Sequence, residues 1–71
     1  MNNVQPKKLL HSKWTSMTPK QKELHFIIVD VEYDDEGVVC FCEIEAVMTH
    51  SKYAINWREL KDSTLWKMGW K

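Results

Sequence analysis

Glycine, proline and cysteine are scarce in this chain, with two of each in 71 residues. So few chain breakers exclude a collagen-like repeat and a low-complexity linker. The two cysteines, Cys40 and Cys42, stand two apart. On a strand both would leave from the same face, which is poor geometry for a bond between them. A disulfide framework of the kind that staples small secreted domains is not expected. No run approaches the roughly 20 apolar residues of a membrane-spanning helix. No apolar stretch follows Lys7 and Lys8 in the way a signal peptide requires. The cytoplasm is the expected location, and no membrane partner is expected. A surplus of charge is missing as well: ten Lys and Arg balance ten Asp and Glu.

Aromatic residues are what the chain does have. Four tryptophans, two tyrosines and two phenylalanines are a large apolar supply, since each buried aromatic removes on the order of 150–250 Å² from water. A chain of this length forms one domain and buries only about 60% of the surface it exposes when unfolded. Heavy core residues are the expected compensation. The reading is a flexible lead-in over residues 1–8 and a single β domain over residues 9–71.

The balanced charges are not mixed. Residues 1–22 carry +5, residues 23–45 carry −8 and residues 46–71 carry +3. The plainer reading folds the two basic ends against the acidic middle. The sharper one is a basic binding arm, although a dedicated nucleic-acid domain usually keeps a basic surplus.

Along the chain, Pro6 could open a short helix carrying Leu9, Leu10 and Trp14, whereas residues 12–16 alternate like a strand; a strand over residues 13–17 is the favoured reading, and residues 18–23 (Thr18-Pro19-Lys20-Gln21-Lys22-Glu23) read as a polar loop. Residues 25–33 place Ile27, Val29, Val31 and Tyr33 on one face; residues 38–48 place Val38, Cys40, Cys42, Ile44, Ala46 and Met48 on one face. Asp34-Asp35-Glu36-Gly37 between them is a hairpin connection, with glycine where positive φ is wanted. Setting Tyr33 opposite Val38 pairs Val31 with Cys40, Val29 with Cys42 and Ile27 with Ile44, all apolar. A second hairpin turns at Thr49-His50-Ser51-Lys52. It pairs Met48 with Tyr53, Ala46 with Ile55 and Ile44 with Trp57, and it sets Glu43 across from Arg58.

That apolar face requires a cover. Leu9, Leu10 and Trp14 at one end of the chain, and Leu60, Leu65, Trp66 and Trp70 at the other, are the candidates. Asp62-Ser63-Thr64 reads as the cap of one helical turn, and Trp70 as a last short strand beyond Gly69. The expected fold is mainly β: a small antiparallel sheet of about four to five strands, an SH3-like partial barrel with a short C-terminal helical turn. A four-stranded sheet covered by a terminal helix is the alternative.

Several stretches also carry a resemblance: Pro6-Lys7-Lys8-Leu9-Leu10, Ser12-Lys13-Trp14-Thr15, His25-Phe26, Glu45-Ala46-Val47, Trp57-Arg58-Glu59-Leu60-Lys61-Asp62, and Trp66 followed by Gly69-Trp70. In these the chain resembles a family of short tryptophan-rich bacterial proteins of unknown function. The resemblance implies a stand-alone bacterial cytoplasmic protein, and it brings no activity, cofactor or catalytic residue.

Chemistry-bearing constellations are weak. Cys40-x-Cys42 with His11, His25 and His50 is one short cysteine pair, whereas structural zinc takes four ligands, usually from two paired knuckles. No nucleophile elbow, phosphate loop or Ser/Cys–His spacing is present. No metal, cofactor or enzymatic activity is expected.

The tryptophans decide the functional reading. Trp57 is expected in the core. Trp14, Trp66 and Trp70, with Lys13 and Arg58, are the candidate binding residues, and Lys67 and Lys71 add basic charge beside them. The expected function is a non-enzymatic protein-interaction or adaptor module, with another protein as partner. The second reading is RNA or single-stranded DNA binding through the N-terminal lysines and exposed tryptophans. The acidic middle argues against a large phosphate footprint.

Overall fold

β-branched and aromatic residues crowd residues 26–31 and 39–44, and both stretches lie in strands in the computed structural model, which describes residues 2–20 and 23–70. Among these, the strands are β1 (Lys13–Lys20), β2 (Glu23–Tyr33), β3 (Val39–Ala46), β4 (Lys52–Ala54) and β5 (Trp66–Met68). Two 3-10 turns, Pro6–Lys8 and Trp57–Lys61, are the other regular elements. The strands form one antiparallel sheet in the order β4-β3-β2-β1-β5. The meander, its last strand returning to β1 after a 3-10 turn, has the connectivity expected of an SH3-like partial barrel. The sheet stays open between β4 and β5. No α-helix occurs among the described residues, so the alternative of a sheet under a terminal helix is set aside.

The first hairpin turns where expected. Asp34 Oδ1 accepts the amides of Glu36 and Val38, each at 2.9 Å, and Gly37 sits at φ 79°. Its register differs from the expected one. Phe26 pairs with Ala46 and Ile28 with Ile44, then Asp30 with Glu43 and Val31 with Cys42. Val29 is therefore an unpaired bulge residue, and Cys40 is another between Val39 and Phe41. The inward face of β2 carries Phe26 and Ile28 rather than Ile27 and Val29. Residues 26–29 are apolar on both faces, so alternation does not choose between registers there.

The second hairpin turns two residues earlier than expected. The Ala46 amide donates to Ser51 O at 2.8 Å, with His50 at φ 61°, so Ile44 pairs with Tyr53 and Glu43 with Ala54. Arg58 consequently lies in a 3-10 turn, and the expected Glu43–Arg58 pair does not form. Trp57 opens that turn, half-buried against the core instead of on a central strand. The turn also precedes Asp62, and Asn56 caps it by accepting the Arg58 amide at 3.1 Å. Asp62 organises the bend after it, accepting from the Thr64 amide at 2.9 Å. The last strand ends at Met68, before Trp70.

β1 runs through the stretch read as a loop: Thr15 pairs with His25 and Lys20 with Glu23. Residues 21 and 22 of that expected loop lie outside the described residues. Residues 2–8, read as a lead-in, lie against the domain. The Asn2 side-chain amide donates to Leu60 O at 2.8 Å and to Trp66 O at 2.7 Å, and its backbone amide donates to Lys61 O at 2.9 Å. Tyr33 donates its hydroxyl to Pro6 O at 2.6 Å.

Trp14, Phe26, Ile28, Cys42, Ile44 and Ala46 supply the core from the sheet, and Leu9 and Leu60 close over it. Of the proposed covers, Leu10 points to solvent and Leu65 is half-buried. The cysteines diverge: Cys42 is 1% exposed, whereas the bulge turns Cys40 outward. Burial, with Asp30 nearby, pushes the Cys42 thiol up to about 11. At pH 8 about one Cys42 in a thousand is then thiolate. Alkylation of the native domain at that pH is expected to label Cys40 alone, with Cys42 reacting only in denaturant. Two equally fast thiols by mass spectrometry would contradict the bulge.

Candidate functional site

Where β4 and β5 fail to meet, the inner face of the sheet opens into a cleft of about 280 Å³. Every strand bears on it: Ser16 and Thr18 from β1, Glu23 and Phe26 from β2, Ile44 from β3, Tyr53 from β4 with Ile55 just after it, and Trp66 from β5. Phe26 and Ile44 are buried and make the floor, while Tyr53 (40% exposed) and half-buried Trp66 are the walls. The rings are steeply inclined. Phe26 meets Trp66 edge-on at 5.2 Å and 86°, and Tyr53 at 6.4 Å and 58°. Such inclined pairs suit the aromatic quadrupole.

One acid stands in this lining. Glu23 is 5% exposed. Its Oε1 accepts the Tyr53 hydroxyl at 2.6 Å and its Oε2 accepts the Thr49 hydroxyl. These hydroxyls, Thr49 first, hold the Glu23 carboxyl below the usual glutamate range against the opposing effect of burial. The same bond to Glu23 raises Tyr53 above the usual tyrosine range.

The two shifts act on stability at opposite ends of the pH scale. A lowered glutamate contributes stability above its unfolded value and loses it as pH falls through the folded one. A raised tyrosine contributes below its unfolded value and loses it as pH rises through the folded one. Melting temperature is therefore expected to decline in acid and again in strong alkali. Asp62, also held low by Thr64, contributes to the acid limb. Glu23→Gln should flatten that limb only in part, and an unchanged limb would sink the assignment.

The residues singled out in the sequence fall in separate places. Trp14 is 2% exposed, its indole N–H donating to Ser12 Oγ at 2.9 Å, and it offers nothing to a partner. Trp66 lines the cleft. Trp70 lies over β1 and β2: its N–H donates to Phe26 O at 2.9 Å, Lys13 Nζ stands 4.8 Å from its ring centre and the His25 ring 5.9 Å away. Arg58 and Lys61 stand 6.0 and 4.8 Å from the Trp57 ring. Lys13 and Arg58 therefore accompany Trp70 and Trp57, not Trp66. Lys71 lies outside the described residues.

Sequence reasoning missed Glu23, Phe26 and Tyr53 as site residues. Glu23 sits in a polar stretch that no periodicity marks. Phe26 was assigned to the outer face, and Tyr53 to a pair with Met48. Among the described residues no group of three His, Cys, Asp or Glu is placed to hold a metal ion, and no helix is long and apolar enough to cross a membrane.

No curated protein and no solved structure matches the chain. A family model described as tryptophan-rich protein (DUF2389) matches residues 12–71, leaving the resembling stretch at residues 6–10 outside it. The segment that builds the sheet and its cleft thus coincides with the matched range, and the chain belongs to this tryptophan-rich family of unknown function.

Proposed function

We propose that this domain is a non-enzymatic protein-interaction module that receives an extended segment of a partner protein in the cleft between β4 and β5. The supporting observation is the cleft itself: a concave, aromatic-walled opening at the one seam where the described sheet lacks a strand. Aromatic residues are enriched at interfaces, and sheet edges recruit extended peptides. Among the described residues no histidine or cysteine lines the cleft, and the carboxylate there is held in its ionised form by two hydroxyls, which gives acid–base chemistry little to work with.

Nucleic-acid binding has less support. Lys13 over Trp70, and Arg58 and Lys61 over Trp57, occupy indole faces on which bases would stack. The discriminating experiment is an NMR titration of the labelled domain with extended peptides and with oligo(dT). Peptide-induced shifts centred on Glu23, Phe26, Tyr53 and Trp66 are expected. Shifts induced instead by oligo(dT) around Trp57 and Arg58 would overturn the reading.

A further inference from the structure

The outer edge of β5 is covered by the chain's own N-terminal segment. Met17 N–H donates to Leu65 O and Gly69 N–H to Lys13 O, each at 2.8 Å. By the alternation of antiparallel ladders, Thr15 and Lys67 form the bonded pair between these two, so Trp66 and Met68 turn their main-chain groups away from β1. Both outward groups of Trp66 are already engaged. Its N–H donates to Asp62 O at 3.0 Å, and its carbonyl accepts the Asn2 side-chain amide at 2.7 Å. Asn2 also donates to Leu60 O and Lys61 O, and so fastens the 3-10 turn that follows β4 to the edge of β5.

The rest of the segment is lightly held. Asn3, Val4 and Gln5 line, together with Met68 and Trp14, a hollow of about 300 Å³. Val4 is half-buried against the core, and the Pro6–Lys8 turn contributes no buried residue. Beyond the hollow the Tyr33 hydroxyl donates to Pro6 O at 2.6 Å. The first fully buried residue is Leu9, after the segment has ended. A stretch held by a few neutral hydrogen bonds, which water can replace, and by one half-buried valine opens far more readily than the domain unfolds.

We propose that residues 2–8 are an autoinhibitory strap, competing with the partner's extended segment for the outer edge of β5. The partner's main chain takes the Trp66 carbonyl that Asn2 releases. The proposal rests on the reading of the β4–β5 cleft as the partner site and adds its regulation. Strand addition needs main-chain groups available along an edge. On β5 the strap withholds the Trp66 carbonyl, and its residues 3–5 stand beside Met68, the next residue that faces outward. Trp66 thus has its carbonyl under the strap and its ring in the cleft.

The test uses the whole chain, with Asn2→Ala and Tyr33→Phe singly and together, and a capped peptide of alternating threonine and valine. Each substitution frees one end of the strap and leaves the residues lining the cleft intact. Heteronuclear NOEs of residues 3–8 report the strap, and peptide affinity is read from the Trp66 indole shift. The double variant is expected to mobilise residues 3–8 and to bind the peptide about tenfold more tightly, which corresponds to a native edge uncovered about a tenth of the time. Each single variant should fall between. Saturating the native protein with peptide should mobilise residues 3–8 in the same way. Equal affinities in the native protein and a double variant with a mobile strap would overturn the competition and leave the peptide-binding reading standing. Weaker binding by that variant would make residues 2–8 part of the binding surface and overturn it too. Residues 3–8 as rigid in the double variant as in the native protein would overturn the assignment of the strap to these bonds. Peptide binding to none of the proteins would overturn both readings.

Discussion

Replacing Trp14 by alanine is expected to leave the domain barely folded at room temperature. Its indole is buried between the sheet and the residues that close over it, with its N–H satisfied by Ser12. Truncating a buried tryptophan costs about 3–5 kcal/mol. A 71-residue domain has in total about 4–11 kcal/mol to lose. Melting temperature should drop on the order of 12–40 °C, at about 4–8 °C per kcal/mol for a domain this small. The control is Trp70→Ala. Trp70 is 42% exposed, with one indole hydrogen bond and Lys13 over its face, contacts together worth about 1–2 kcal/mol. Calorimetry on the two variants separates the tryptophan that builds the fold from one that decorates it. Equal losses would refute the placement of Trp14.

The second large effect tests the register of β2. Ile28 is fully buried against Ile44, and its truncation to alanine is expected to cost about 2–5 kcal/mol. Its neighbour Val29 is the half-buried bulge residue, and Val29→Ala should cost only about 0.8 kcal/mol, half the transfer free energy of the carbon atoms removed. The register expected from alternation predicts the reverse order. Denaturant midpoints of the two variants decide between them without any structural measurement.

That contrast shows where the sequence was legible and where it was not. The strands expected at residues 25–33 and 38–48, found at residues 23–33 and 39–46, could be read because β-branched and aromatic residues are dense there and a glycine turn separates them. The inward face of β3 (Cys42, Ile44, Ala46) could be read because glutamates alternate with it. β2 has no such contrast between Phe26 and Val29, and a bulge is invisible to a rule of period two. The second hairpin misled because Met48, apolar in type, sits exposed at its tip. The site was less legible than the fold. Trp66, which lines the cleft, stands out by its residue type, but Glu23 draws its position from β1, which advances five residues from Thr15 to Lys20 while β2 advances two from His25 to Glu23. Asn2 likewise holds the turn and β5 through an amide that no hydrophobic pattern announces.

The pairing of β5 with β1 also has a kinetic consequence. Trp14 faces Met68, and the Thr15 hydroxyl reaches Gly69 O across 54 residues at 2.7 Å, whereas β2, β3 and β4 are joined by short turns. Closing a chain loop of that length costs about 2 kcal/mol more entropy than closing a hairpin of five residues. The meander therefore forms ahead of the strand that completes it, and folding belongs to the slower millisecond-to-second regime of sheets with long-range contacts. Trp66 arrives with that late strand, so a species lacking it would leave Phe26 and Ile44 uncovered. In stopped-flow refolding, fluorescence from Trp66, isolated by replacing Trp57 and Trp70 with phenylalanine and subtracting the signal of the same variant carrying Trp66→Phe, should rise after the far-ultraviolet signal of the meander.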